Sequence, residues 1–134
     1  MPKFSQKSID KLNTVDHHLV ILFNEVIKFR DCSVVWGFRG QADQDAAFAA
    51  GASKKKWPDG EHNKTPSRAV DVAPFINGKL SDDSHECYAF GGFVMGMAAA
   101  MNMGDRIRWG GDWDRDGMVT DQNFNDLWHF EIIS

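Results

Sequence analysis

The feature that most restricts how this chain can fold is a carboxylate set inside an apolar strand. The segment Ala69-Val70-Asp71-Val72-Ala73 reads as extended, because β-branched residues pack well on a pleated surface, and Asp71 has an apolar neighbour on either side. An ionised carboxylate buried there costs on the order of several kcal/mol unless it is paired or coordinated. The fold must therefore bring Asp71 a partner. A cation would serve, and so would the guanidinium of Arg68 or Arg39.

Bulk charge narrows the classes of partner for the whole chain. The formal net charge is -4 and the pI about 5.6, with lysines and arginines scattered apart from the run Lys54-Lys55-Lys56. Neither nucleic acid nor an anionic membrane is expected as a partner. At 134 residues, 43% hydrophobic and 25% charged, the chain suits one soluble domain, 1–134, with a real core. A monomer is expected. No apolar run approaches the roughly 18 residues of a spanning helix, and the start MPKFSQKSIDKLN offers no hydrophobic stretch for a signal, so synthesis in the cytoplasm is expected. Cys32 and Cys87 form no C-x-x-C and read as reduced core residues.

Periodicity supplies the elements. Ile9, Leu12, Val15, Leu19, Leu22, Val26 and Phe29 recur in steps of three and four, which predicts one long amphipathic helix. Ser33 to Phe38 reads as a short buried strand, and a second helix runs from Gln41 to Ala50, stopped by Gly51. GASKKKWPDGEHNKTPS is a solvated loop, the longest irregular stretch. After the strand at Ala69, Pro74 implies an edge or an end, and Asn77-Gly78 is a hairpin signal. Ser81 to Asp83 would cap a third helix running to Gly104, whose small residues allow close packing on a sheet, and Ile107 to Trp109 and Leu127 to Ile133 complete the strands. The order α-β-α, loop, β-hairpin, α, β, β gives an α+β fold of helices on a small, mostly antiparallel sheet.

A catalytic zinc ion is commonly held by three side chains drawn from His, Asp, Glu and Cys, with a fourth position left to water. Of five histidines, His17 and His18 point about 100° apart on a helix, and they and His85 read as surface or cap residues. His62 sits in the loop ahead of Asp71, and His129 lies between Trp128 and Phe130 in the last strand, sharing a face with Leu127 and Glu131. Taken singly, each remains open to a structural reading: His62 as a loop residue, His129 as a satisfied core histidine. Asp126, three residues ahead of His129, would lie at the strand mouth, placed to act on a water without being a ligand.

Together, SRAVDVAPFINGK and DLWHFEI, with GFRGQADQ upstream, resemble the zinc peptidases that share a fold with D-Ala-D-Ala carboxypeptidases and the hedgehog signalling domain, nearest to bacteriophage L-alanyl-D-glutamate endolysins. The resemblance spans nearly the whole chain. It implies zinc on His62, Asp71 and His129, Asp126 as general base, and Arg39 holding a substrate carboxylate or polarising the scissile carbonyl. Gln44 and Ser67 complete the implied substrate contacts. Two departures stand out: eight residues separate His62 from Asp71 where the family has six, and Ser67 stands where glycine is common. The longer loop costs little entropy.

The implied activity is cleavage between L-Ala and D-Glu in the stem peptide of bacterial peptidoglycan, in phage or prophage lysis, with the enzyme reaching the wall through a membrane pore. A D,D-carboxypeptidase or dipeptidase of the same fold is the near rival. A wall-binding module with structural zinc is the rival from another class, which retention of Asp126 and Arg39 opposes. Separately, Asp112-Trp-Asp114-Arg-Asp116-Gly117 copies the opening of a calcium loop, with Asn123 rather than glutamate at position twelve. Calcium there stands against a plain acidic turn.

Overall fold

The computed structural model describes residues 2–133, so the first and last positions of the expected domain, 1–134, lie outside the described residues. Where the apolar spacing predicts one long helix there are two, α1 (Gln6–Leu12) and α2 (His17–Val26). The break has both a local and a long-range cause. Asn13, Thr14 and Asp16 carry side chains that compete with the helix ladder, and another segment claims the backbone there. Ser67 N–H donates to the Thr14 carbonyl at 2.9 Å and Asp16 N–H to the Ser67 carbonyl at 2.8 Å. Asp16 then caps α2 by accepting from His18 N–H at 2.9 Å. Leu12, Val15, Leu19, Leu22 and Val26 are buried as expected, whereas Ile9 and Phe29 face solvent.

The strands are β1 (Cys32–Trp36), β2 (Ala69–Ile76), β3 (Lys79–Leu80), β4 (Ile107–Gly110) and β5 (Asp126–Ile132). They pair antiparallel in the order β1-β2-β5-β4, with β3 on β2. The β2–β3 turn takes positive φ at Asn77 (53°) and Gly78 (79°), which the twist of a two-residue hairpin requires. Pro74 lies inside β2 rather than at its end. It is tolerated because β5 pairs only as far as Asp71, and on the flank it leaves open the Pro74 carbonyl accepts from Ser81 N–H at 2.8 Å.

Register divides the sheet into two faces. Val70 lies opposite Phe130 and Phe130 opposite Trp109, and these rings meet the helices: Phe23 and Phe90 stand 5.3 and 6.4 Å from Phe130. Helix α4 (Ser84–Ala100), capped by Asp83, packs so closely that a Cβ on Gly91 would run into the Trp109 ring. Burying a ring such as Phe130 contributes roughly 2–3 kcal/mol. The alternate residues Asp71, Arg108, His129 and Glu131 face the other way, under α3 (Gln41–Ala49) and the long loop, where Glu61–Asn63 forms a 3₁₀ turn. That polar face is where the chemistry gathers. Cys32 and Cys87 are buried and free, as expected.

Candidate metal centre and its cleft

Asp71 and His129 are direct cross-strand neighbours on β2 and β5, so pairing alone sets their side chains together. His62 arrives from outside the sheet, on the 3₁₀ turn. The two-residue extension of its loop does not keep it away, because Arg39 N–H donates to the His62 carbonyl at 2.8 Å and ring Nδ1 meets the Gly37 carbonyl at 2.8 Å. A carbonyl only accepts, so Nδ1 carries a proton and Nε2 is the nitrogen turned inward. There His62 Nε2 stands 3.2 Å from Asp71 Oδ1 and 3.3 Å from His129 Nδ1, and His129 Nδ1 stands 3.2 Å from the same Asp71 oxygen. All three residues are under 10% exposed, which leaves the charged carboxylate little help from water.

The charges adjust to that enclosure. Burial would push the Asp71 carboxyl up, but His62 and His129 beside it hold it well below the usual carboxylate range. Burial also opposes charge on His129, yet hydrogen bonds to Asp71 and Glu131 raise it to about 10. In the protein alone, a proton on imidazole thus stands where a cation would neutralise Asp71. The group could bind a metal ion. Asp126 lies just beyond it, with Oδ2 3.8 Å from His129 Nδ1 and its side chain 28% exposed. Burial, then the charge of Asp71, pushes Asp126 up to about 6, against the pull of His129, His62 and Arg39.

Arg39 is more committed to the protein than its implied role requires. Its Nη2 reaches Asp71 Oδ2 at 3.4 Å, Nη1 reaches Gln44 Oε1 at 3.3 Å, and its Cζ stacks 4.8 Å over Trp36. Gln44 is 1% exposed and fully spent: Oε1 also accepts from Asn63 Nδ2 at 3.1 Å, while Nε2 donates to the Lys55 carbonyl at 2.7 Å and to Ser53 Oγ at 3.0 Å. It ties the cleft wall to the floor. Ser67, expected among the substrate contacts, is 0% exposed; its hydroxyl donates to the Ala69 carbonyl at 2.7 Å, and its main chain holds the α1–α2 turn. The cleft above these groups has a volume of about 590 Å³, with Ala52 to Lys55 along one wall and Asp121 to Phe124 along the other.

Three participants were not singled out as site residues in the sequence. Glu131 is buried against His129; Arg108 pairs with Glu131; and Trp113 lays its ring 5.5 Å from the His129 ring. Strand alternation puts Glu131 on the face of His129, but Trp113 lies in an acidic loop with no periodicity to place it. Asp112, Asp114 and Asp116 do converge, with oxygens within 4.8 Å of one another. Gly117 N–H donates to Asp112 at 2.9 Å and Met118 N–H to Asp116 at 2.8 Å. Burial raises Asp112, whereas the Met118 N–H lowers Asp116. His17 and His18 sit with Asp16 at the exposed start of α2, away from this centre.

A buried group that could hold a cation, with a further carboxylate beside it, is compatible with hydrolysis through a polarised water. Comparison with known sequences gives the family: residues 1–133 match the one described as phage L-alanyl-D-glutamate peptidase, and the chain belongs to it. It is 30% identical over 123 residues to the L-alanyl-D-glutamate peptidase of Escherichia phage T5, covering 90% of this chain and 88% of that one. The fold is that of the Serratia marcescens L-Ala D-Glu endopeptidase ChiX, with a TM-score of 0.75 at 22% identity over 98% of this chain and 90% of the other. Among the described residues, no helix is long and apolar enough to cross a membrane.

Proposed function

We propose that this protein hydrolyses the L-Ala–D-Glu bond of peptidoglycan stem peptides, with a zinc ion held by His62, Asp71 and His129. The observation that carries the metal's identity is the spacing of the three ligand atoms, 3.2, 3.2 and 3.3 Å. Zinc bonds of about 2.0–2.1 Å in a tetrahedron set neighbouring ligand atoms roughly 3.3 Å apart. Two imidazole nitrogens also suit zinc, and not calcium or magnesium, which favour oxygen.

When bound, zinc would supply a Lewis acid that acidifies a water and polarises the peptide carbonyl. Asp126 takes a proton from the attacking water and hands it to the departing D-Glu amine, so one water is consumed and one peptide bond broken. Arg39, fixed by Asp71, Gln44 and Trp36, offers positive charge to the carbonyl oxygen or to a substrate carboxylate. Lys54 and Lys55 on the wall add charge of the same sign towards an acidic stem peptide. The setting is a monomer in phage or prophage lysis that meets the wall through a membrane pore.

Incubating the protein with isolated peptidoglycan, with zinc and then with chelator, and identifying new amino termini by mass spectrometry tests this reading. Chelator-sensitive release of D-Glu amino termini, lost in Asp126→Ala, is expected. Released D-Ala would instead indicate a D,D-carboxypeptidase, and zinc binding without cleavage a wall-binding module. Calcium at Asp112, Asp114 and Asp116 belongs to the same proposal, supported by the convergence of their oxygens. Restoring activity to zinc-loaded, calcium-free protein by added calcium is its test.

A further inference from the structure

We propose that Glu131, backed by Arg108, is a positioning residue that turns His129 so that Nδ1 faces the metal. This rests on the metal reading above and adds a residue to it. His129 has two ring nitrogens with distinct surroundings. Nδ1 looks towards Asp71 and His62, with Asp126 on the same side. Nε2 lies 2.7 Å from Glu131 Oε1.

An ionised carboxylate only accepts, so Nε2 keeps its proton, and Nδ1, on the side of the centre, is the nitrogen left free to coordinate once a metal displaces the proton there. Without that acceptor, neither the tautomer nor the rotation of the ring is specified, and a ligand histidine loses basicity. Glu131 is well placed for this task. It is 6% exposed, and its second oxygen takes Arg108 Nη2 at 2.6 Å from the neighbouring strand β4. The Arg108 Cζ in turn stands 5.5 Å over the Trp113 ring, and Trp113 covers His129. The ring is thereby held at its edge by Glu131 and on its face by Trp113.

The same device holds the other histidine in main-chain form, through the Gly37 carbonyl on His62 Nδ1. Only the Glu131 version can be removed by substitution. A glutamate that merely paired with Arg108 across the ladder would contribute to folding and leave metal affinity alone.

The test measures zinc affinity by competition with a chromophoric chelator, and the absorption spectrum of the cobalt(II) form, in the wild type, Glu131→Gln and Glu131→Ala, with thermal unfolding of each metal-free protein alongside. Glu131→Ala should weaken zinc about 10- to 100-fold and alter the cobalt spectrum. Glu131→Gln, whose amide oxygen still accepts from Nε2, should recover part of the affinity. If Glu131→Ala does not fold, Glu131→Gln against the wild type decides: unchanged affinity and spectrum overturn the proposal. Lower thermal stability with wild-type zinc affinity overturns it too, since that is the result of a purely structural pair. A wild type that binds no zinc removes the metal reading itself, a separate result from a variant that binds as well as the wild type.

Discussion

Replacing Gln44 by Met separates two roles for this residue, because Met fills nearly the same volume and makes none of the hydrogen bonds. The substitution leaves four partners: Arg39 Nη1, Asn63 Nδ2, the Lys55 carbonyl and Ser53 Oγ. Water can reach the half-buried Ser53 and the exposed Lys55, so the cost falls on the two buried donors, Arg39 and Asn63, which are 6% and 7% exposed. Each buried group left unpaired costs about 1–3 kcal/mol. Asn63 retains its bond to the Arg39 carbonyl at 2.9 Å, which trims the total to about 2–4 kcal/mol. An unfolding entropy of about 2.1 cal/mol/K per residue converts 3 kcal/mol into a fall in Tm of roughly 10 °C for a chain this size. Urea and thermal unfolding of the chelated protein measure the loss. Activity of the zinc form should fall in kcat, because Arg39 and the Lys55 wall lose their fixed positions. A Tm within about 2 °C of wild type, with only KM raised, would refute this reasoning and return Gln44 to the substrate contacts.

Asp126→Asn should lower kcat/KM by about 10²- to 10⁴-fold, the span of a general base, while zinc affinity stays within a few-fold; a large loss of zinc affinity would make Asp126 a ligand instead. As the proposed base Asp126 would work in its ionised form, and without an ion burial holds it near 6. The positive charge of a bound ion lowers it further, so activity should fall as pH drops through a value at or below 6. An acid limb well above 6 in kcat/KM would contradict that assignment. The metal-free protein should lose stability on the alkaline side. His129 has a folded value raised from 6.5 to about 10, so its contribution is complete below 6.5 and disappears as pH rises towards 10. Cys32, pushed by burial from 9.0 up to about 12, adds a second loss only above 9. Thermal melts between pH 6.5 and 9 therefore isolate His129, and a flat Tm across that window would count against the Asp71–His129–Glu131 contacts.

Most of the elements were legible because periodicity records burial, and burial follows from the sheet. The alternation in β2 and β5, the Asn77-Gly78 turn and the small residues of α4 each correspond to an observed contact. The apolar stripe predicts an unbroken first helix because Val15 continues it, while the interruption depends on main-chain bonds to Ser67, more than fifty residues away. Ser67 illustrates the same limit: its position relative to Asp71 fits a site residue, but the hydroxyl turns back onto its own chain. Long-range partners of this kind leave no local pattern. The pairing of Asp71 with His129 is likewise a matter of register, and in the sequence only the resemblance to a known family joins the two.

The buried strand aspartate is accommodated by the way charge is shared across the polar face. Asp71, Asp126 and Glu131 stand against Arg39 and Arg108, which leaves the group one positive charge short when all are ionised. In the metal-free protein the shortfall is met by the proton on His129, held there by a carboxylate on each ring nitrogen. A divalent ion supplies more than that proton did. Its entry must release the proton, because Nδ1 cannot carry hydrogen and coordinate at once, so protons compete with metal and affinity falls as pH is lowered. The exchange leaves the face with one positive charge more than before, and the nearest group able to respond is Asp126. Its carboxyl, kept high by burial and by Asp71, is drawn down towards the ionised form in which a base can act. Under the proposed zinc reading, loading the centre and readying the base would be two consequences of one change in charge.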